Sequence, residues 1–329
     1  MTEMLTAGGA APGDASTVAA VLLWADERGK FPQGSIWVEV LNERLQSRSL
    51  RSPADPVVCS SDGAMALVDA GMGFGQVAAT RAADLAVELA NDYGVGVVSV
   101  KNSNHFGAAG YYVGLIADRG CVGVAMTNAF PKVAAENGTR AALGTNPVAF
   151  GAPVRSEPPL IADFSSGSLA GSRVREAVSR GEQLPTGMVV DADGRPTTDP
   201  RALDAGGVML PASGPKGYGL GLMVEVLTAC LAGGAIGEDI GSVFDVETEA
   251  GLSHLLLAVR PSDPHFDLRV KSLGDFVRQS GEAVRLPGQR GPDLSNSASD
   301  AGIELPEQTR LALKRSAERL DLEMPEELQ

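Results

Sequence analysis

Three cysteines in 329 residues, Cys59, Cys121 and Cys230, stand far apart with no Cys-x-x-Cys spacing. That sparseness excludes a disulfide framework and a cysteine zinc site, and it predicts reduced thiols in the cytoplasm. Histidine is equally scarce: His105, His254 and His265 show no metal-ligand spacing, so no metal is expected. The first residues carry neither a basic segment nor the apolar stretch of a signal peptide, and no apolar run reaches the ~18 residues of a membrane span. Positive charge is in deficit, 27 Lys and Arg against 41 Asp and Glu for a net −14. Nucleic acid and anionic membranes are thereby excluded as partners, and any anionic ligand must find local basic groups.

What is present is a globular composition, 44% hydrophobic and 21% charged, long enough to bury a large core. The most informative stretch begins at Val95. An apolar run suited to a buried strand breaks into polar residues 101–104, delivers His105, and restarts as a Gly/Ala-rich helix. Ligands of open α/β sheets bind at the carboxyl ends of strands, so an imidazole there is well sited for proton transfer.

Upstream, a loose start leads to a helix capped by Asp14 and ended by Gly29, then to a second helix from about residue 35 with Trp37, Leu41 and Leu45 on one face. Strands are predicted at 56–59 and 64–69, before Gly71, Gly73, Gly75 and a long helix. These glycines imitate a dinucleotide fingerprint. The third required glycine is Gln76, however, and the next strand ends in Lys101 rather than an acid, which counts against a Rossmann fold.

Downstream, strands are predicted at 121–127, 148–151, 159–163 and 255–259, and 189–196 reads as a strand running into an Asp-Gly turn, with a tight turn at Gly144-Thr-Asn-Pro147. Asp163-Phe-Ser-Ser opens a helix to about 180, whose hydroxyls and free N–H groups suit an anion or a ribose. Lys216 falls in the first turn of a helix, either to meet an anion or simply to be solvated. Pro215 and Gly217 beside it rule out a P-loop. A helix at 266–278, a turn at 286–290, a mobile polar linker and a helix from about 306 complete the chain. Ser165 to Ser168 lack the GxSxG elbow of a serine hydrolase. His254 and His265 read as structural.

Taken together, Ser103-Asn-His-Phe-Gly-Ala-Ala-Gly-Tyr-Tyr112, Thr127-Asn128, Gly144-Thr-Asn-Pro147, Asp191 with Gly194 and Pro196-Thr-Thr-Asp-Pro200, Lys216-Gly-Tyr-Gly-Leu220 and Pro287-Gly288 resemble the malate/L-lactate dehydrogenase type 2 family. The resemblance runs from about residue 25 to 320. It implies NAD- or NADP-dependent hydride transfer on a small 2-oxo acid, 2-hydroxy acid or cyclic imine, with His105 exchanging the proton. Asp191 is the candidate to fix the His105 tautomer; as a strand-end turn residue it has an equally good bland reading.

The resemblance assigns Asn128, Ala129, Thr145, Asp163, Phe164, Ser165, Lys216, Gly217, Pro287, Gly288 and Gln289 to the cofactor, and Asn146 to the substrate. Ala129 stands where the family often has a serine, and Asp163-Phe-Ser-Ser replaces its Asp-Met-Ala-Thr. The larger departure is N-terminal. Where the family continues Ser-His-Gly and then an arginine, this chain has Pro32-Gln33-Gly34 and Trp37. A titratable imidazole becomes the Gln33 amide, and a carboxylate-binding guanidinium becomes the Trp37 indole. These two residues are expected to remodel the substrate end, away from malate and lactate. A non-catalytic, ligand-binding member of the same fold is the alternative.

The expected architecture is α/β: a mixed central sheet with helices on both sides, spanning 56–292 and binding dinucleotide without a Rossmann fold. Residues 1–55 and 293–329 would form a discontinuous helical cap. The resemblance further implies a homodimer, and Lys101 would favour NADP only if it lies near the ribose.

Overall fold

The structure, a computed structural model, describes residues 1–324, apart from the side chains of Ser172, Ser179 and residues 297–301. Helices α1 (Thr2–Ala7), α2 (Pro12–Glu27) and α3 (Trp37–Ser47) precede the strands β1 (Val57–Asp62) and β2 (Met65–Asp69). Then come α4 (Gly75–Tyr93), β3 (Val95–Ser103), α5 (Ala109–Asp118), β4 (Val122–Thr127), β5 (Val133–Ala134), β6 (Ala141–Leu143), β7 (Val148–Val154) and β8 (Glu157–Phe164). The remainder is α6 (Gly171–Arg180), β9 (Val189–Val190), β10 (Pro196–Thr197), β11 (Val208–Met209), α7 (Pro215–Glu225) continued by a π turn (Val226–Cys230), β12 (Leu252–Val259), α8 (Phe266–Arg278), α9 (Arg290–Ala301) and α10 (Glu307–Arg319).

Seven strands form a mixed sheet in the order β1-β2-β3-β12-β4-β7-β8. Only β2 and β3 pair in parallel; β12 lies antiparallel between β3 and β4. The unit expected from β3, a helix and β4 is therefore split by a strand from late in the chain. Side-chain alternation explains why both faces are covered. Val98, Val100, Ala125, Leu256 and Ala258 face α4 and α5, whose small residues Ala79, Ala83 and Ala86 allow close approach. The intervening Val97, Val124, Met126, Leu255 and Leu257 face α7 and the π turn through Leu220, Val224 and Leu227. A second sheet, β10-β9-β11-β5-β6, was not anticipated, because its strands are only two or three residues long.

The N-terminal helices and α10 share a core: Leu5, Val18, Leu22, Val38 and Leu41 pack with Leu313 and Ala317, together with Phe74 and Leu252 from the sheet side. Three local expectations fail. The loose start holds α1, anchored by buried Met4 and Leu5. Asp14 does not cap α2, which Pro12 begins; its carboxylate accepts from Ser52 Oγ (2.5 Å) and Ala54 N (2.8 Å) across the cap. The polar linker contains α9, and residues 325–329 of the expected cap lie outside the described residues.

Candidate active site

The segment after β3 is held from below before it presents His105. Asn104 is buried; its amide donates to Met72 O (2.9 Å) and Gly73 O (3.0 Å), and its Oδ1 accepts from Arg44 Nη2 (3.2 Å). Phe106 turns into the core and its carbonyl accepts from the Tyr112 hydroxyl. Gly107 adopts φ +81°, a conformation that costs glycine nothing, and α5 begins two residues later. His105 is left at the mouth of a cleft of about 740 Å³, between two anchored neighbours.

The opposite wall comes from the connector between α2 and α3. Buried Asp26 accepts from Ser35 N (2.9 Å), and a Cβ on Gly34 would lie 1.8 Å from Asp26 Oδ1, so the connector lies flat against that carboxylate. Burial pushes the Asp26 pKa up to about 6. Gln33 Oε1 then stands 3.0 Å from His105 Nε2. The Trp37 ring stacks on the imidazole, with centroids 3.6 Å apart and planes 16° apart, and its indole N–H donates to Pro32 O (2.9 Å). Phe244 stacks behind Trp37 at 5.4 Å.

With Gln33 Oε1 as acceptor, the imidazole proton sits on Nε2, and Nδ1, buried, has no partner among the described residues. Burial, then the positive charge of Arg175, then His254 push the His105 pKa down to about 3. The ring is therefore neutral near pH 7, and a negative charge beside it would raise its pKa and let it take up a proton to donate.

Asp191 does not orient this ring. Its Oδ1 accepts from Asp193 N (3.0 Å) and Arg195 N (2.9 Å), closing its own turn, because an Asp before Asp-Gly satisfies nearby backbone first. Asn146 likewise turns from the cleft: it donates to Glu225 Oε1 and Gly221 O (both 3.0 Å) and accepts from Ala129 N (3.1 Å). Asn128 lines the cleft, and its amide also reaches Glu225 (3.3 Å). These two amides and one buried carboxylate tie the end of β4, the Gly144 turn and α7 together, leaving Ala129 and Thr145 as cleft wall.

The cofactor assignments divide. Asp163 and Gly288 line a neighbouring cleft of about 940 Å³ with Trp24, Arg28, Lys30 and Arg290. Asp163 Oδ2 accepts from Gly110 N (3.1 Å) at the start of α5 and pairs with Lys30 at 2.5 Å. Gly288 has φ +75°, and a Cβ there would lie 2.2 Å from Ile161 O, so the turn is pressed against β8. Pro287, Gly288 and Gln289 also line an adjoining cleft of about 790 Å³. A backbone cradle, three cations and a carboxylate able to take ribose hydroxyls fit a dinucleotide.

Phe164 is exposed, and Ser165 Oγ donates to Thr145 O (2.9 Å). The expected helix start at these residues is displaced to Gly171, so their hydroxyls serve the turn rather than a helix end. Lys216 is exposed and lines none of these three clefts, nor does Lys101. Gly217 is a packing residue: its Cβ would lie 2.3 Å from Ala212 O.

Sequence reasoning missed Lys132, Arg175, Phe130 and Phe244, all lining the His105 cleft. Arg175 sits among the mixed charges of an amphipathic helix and Phe244 in an irregular loop, so neither carried a periodic or motif signal.

A profile of the malate/L-lactate dehydrogenase family matches residues 1–314. L-sulfolactate dehydrogenase of Methanothermobacter thermautotrophicus is 34% identical over 310 residues, covering 93% of this chain and 90% of that one. A (2R)-3-sulfolactate dehydrogenase (NADP(+)) of Chromohalobacter salexigens is 40% identical over 249 residues, 74% of each. The crystal structure of delta1-piperideine-2-carboxylate reductase from Pseudomonas syringae pvar. tomato superposes with a TM-score of 0.89 at 31% identity, over 96% of both chains. The chain belongs to the malate/L-lactate dehydrogenase family and is an oxidoreductase.

Proposed function

We propose that the protein moves a hydride between NAD or NADP and a small 2-oxo acid, 2-hydroxy acid or cyclic imine, with His105 exchanging the proton at Nε2. The observation that carries this reading is the placement of His105: it lines the cleft, with Nε2 3.0 Å from Gln33 Oε1, on a segment fixed by Asn104, Phe106 and Gly107. The nicotinamide would supply the hydride; Asn128, Ala129 and Thr145 would line its end, and Asp163, Gly288 and the Pro287–Gln289 turn would hold the nucleotide. Gln33 can hold a substrate oxygen or nitrogen by hydrogen bonding but cannot itself titrate.

Trp37 covers one face of His105 with an apolar ring, which supports a bulkier substrate than malate or lactate. We propose a homodimer in the cytoplasm as its working form. The exposed edge of β1, where Val57 is 54% accessible, supports a second copy as partner. Among the described residues no helix is long and apolar enough to cross a membrane. We also retain the division into a helical cap and a sheet domain, which the shared core of α1–α3 with α10 supports.

The test is steady-state turnover of the purified protein with NADH and NADPH over a panel of 2-oxo acids of increasing size and cyclic imines, with malate and lactate oxidation as references. Turnover is expected on bulkier members and weak on the references. Ordinary enzymic efficiency on malate or lactate would contradict the remodelled site.

A further inference from the structure

The His105 cleft holds two cations that form no ion pair among the described residues. Lys132 enters from the segment between β4 and β5, and Arg175 from α6. Among the described residues neither forms an ion pair, although the neighbouring acid on α6, Glu176, pairs with Arg173 and Arg180. Asp204 acts on Lys132 only at longer range. Both cations rest on aromatic faces instead: Arg175 lies 4.6 Å from the Phe244 centroid, and Lys132 lies 4.6 Å from Phe130 and 5.5 Å from Phe244. Burial lowers both pKa values, and Arg175 lowers that of Lys132 further, so the pair repel each other. Two like charges held over one ring in a half-apolar cleft are costly unless an anion enters between them.

We propose that Arg175 and Lys132 are the seat of the substrate's carboxylate, and that Trp37, Phe130 and Phe244 receive an apolar remainder. The substrate class is thus a monoanionic 2-oxo or 2-hydroxy acid with an aryl or branched alkyl tail. This assignment rests on the reading of the cleft as the reaction site. The planar Arg175 fork suits a carboxylate, and the Lys132 ammonium adds a second point charge. A cofactor phosphate is the other anion these cations could meet, and the test separates the two.

Binding of oxamate, an unreactive 2-oxo acid analogue, is measured by calorimetry on the NADH- or NADPH-loaded protein, beside neutral oxamide. Arg175→Gln is expected to weaken oxamate at least tenfold and Lys132→Gln severalfold, with Arg175→Lys intermediate and oxamide not bound. Affinity for the reduced cofactor should stay within twofold in every variant, and thermal melts check that each is folded. His105→Ala should lose turnover while affinity for the reduced cofactor stays within twofold, so a failure of the proton-transfer reading shows itself separately, as retained turnover. In turnover, phenylpyruvate should exceed pyruvate in kcat/KM, and Arg175→Gln should raise KM more than it lowers kcat. Wild-type protein that ignores oxamate, oxamate affinity unchanged in both glutamine variants, or loss of cofactor affinity in its place would overturn the assignment.

Discussion

His105 and His254 stand near the same end of the sheet, and burial pushes both pKa values down to about 3. Each ring also stacks on an aromatic: His105 on Trp37, His254 on Phe106 at 4.6 Å. What separates them is the fate of their nitrogens. β12 places His254 opposite Val100 of β3 and Thr127 of β4, and its two nitrogens lie 2.7 Å from Thr127 Oγ1 and 2.7 Å from Ser103 Oγ. It has no accessible surface and no unspent valence. Among the described residues, His105 has one nitrogen against a replaceable amide at a cleft with two unpaired cations, and the other without any partner. A desolvated histidine is structural when its hydrogen bonds are complete, and available for chemistry when they are not.

The comparison can be broken most forcefully at His254. His254→Ala should cost about 2–4 kcal/mol of stability in urea titration, from the cavity and the Ser103 hydroxyl left without its partner, while the folded fraction keeps its cofactor affinity. A stability loss below about 1 kcal/mol would show that its hydrogen bonds are dispensable.

Protonation sharpens the contrast with the cap. His254 has a folded pKa near 3 against 6.5 free, so the unfolded chain binds a proton that the folded protein refuses. Stability present above pH 6.5 is lost as pH falls toward 3, by about 1.4 kcal/mol per pH unit. Asp26 runs oppositely, with a folded value near 6 against 3.8: its contribution is complete below pH 3.8 and is lost as pH rises through about 6. Asp26→Asn should therefore raise stability near neutral pH by up to about 3 kcal/mol and change little at pH 4. Equal effects at both pH values would contradict the buried carboxyl.

The smallest effect concerns Gln33. Gln33→Ala removes one hydrogen bond to His105 and should lower kcat/KM about fivefold, the worth of roughly 1 kcal/mol, without moving the melting temperature by more than a few degrees. An effect as large as that of removing His105 would make Gln33 a participant in the proton transfer.

Much of this contrast was legible in the sequence. The apolar run from Val95, the polar break and His105 are local signals, and they place the imidazole at a strand end as found. The mixed sheet was legible too, although its order was not, since β12 joins two strands more than a hundred residues upstream. Asp191 and Asn146 misled because their residue types suit both catalysis and turn closure, and only the three-dimensional neighbours decide. Arg175 was invisible, since a cation in a helix of mixed charge looks solvated until the loop carrying Phe244 is laid against it, and Lys132 lies in an irregular connector with no motif.

Under the proposed function His105, and not His254, carries the proton. The direct measurement is kcat/KM of His105→Ala against wild type on the best 2-oxo acid found, with cofactor affinity and thermal stability followed in parallel. The expected result is a loss of about 10²–10⁴-fold with cofactor binding and stability unchanged. Turnover within a few-fold of wild type would contradict it.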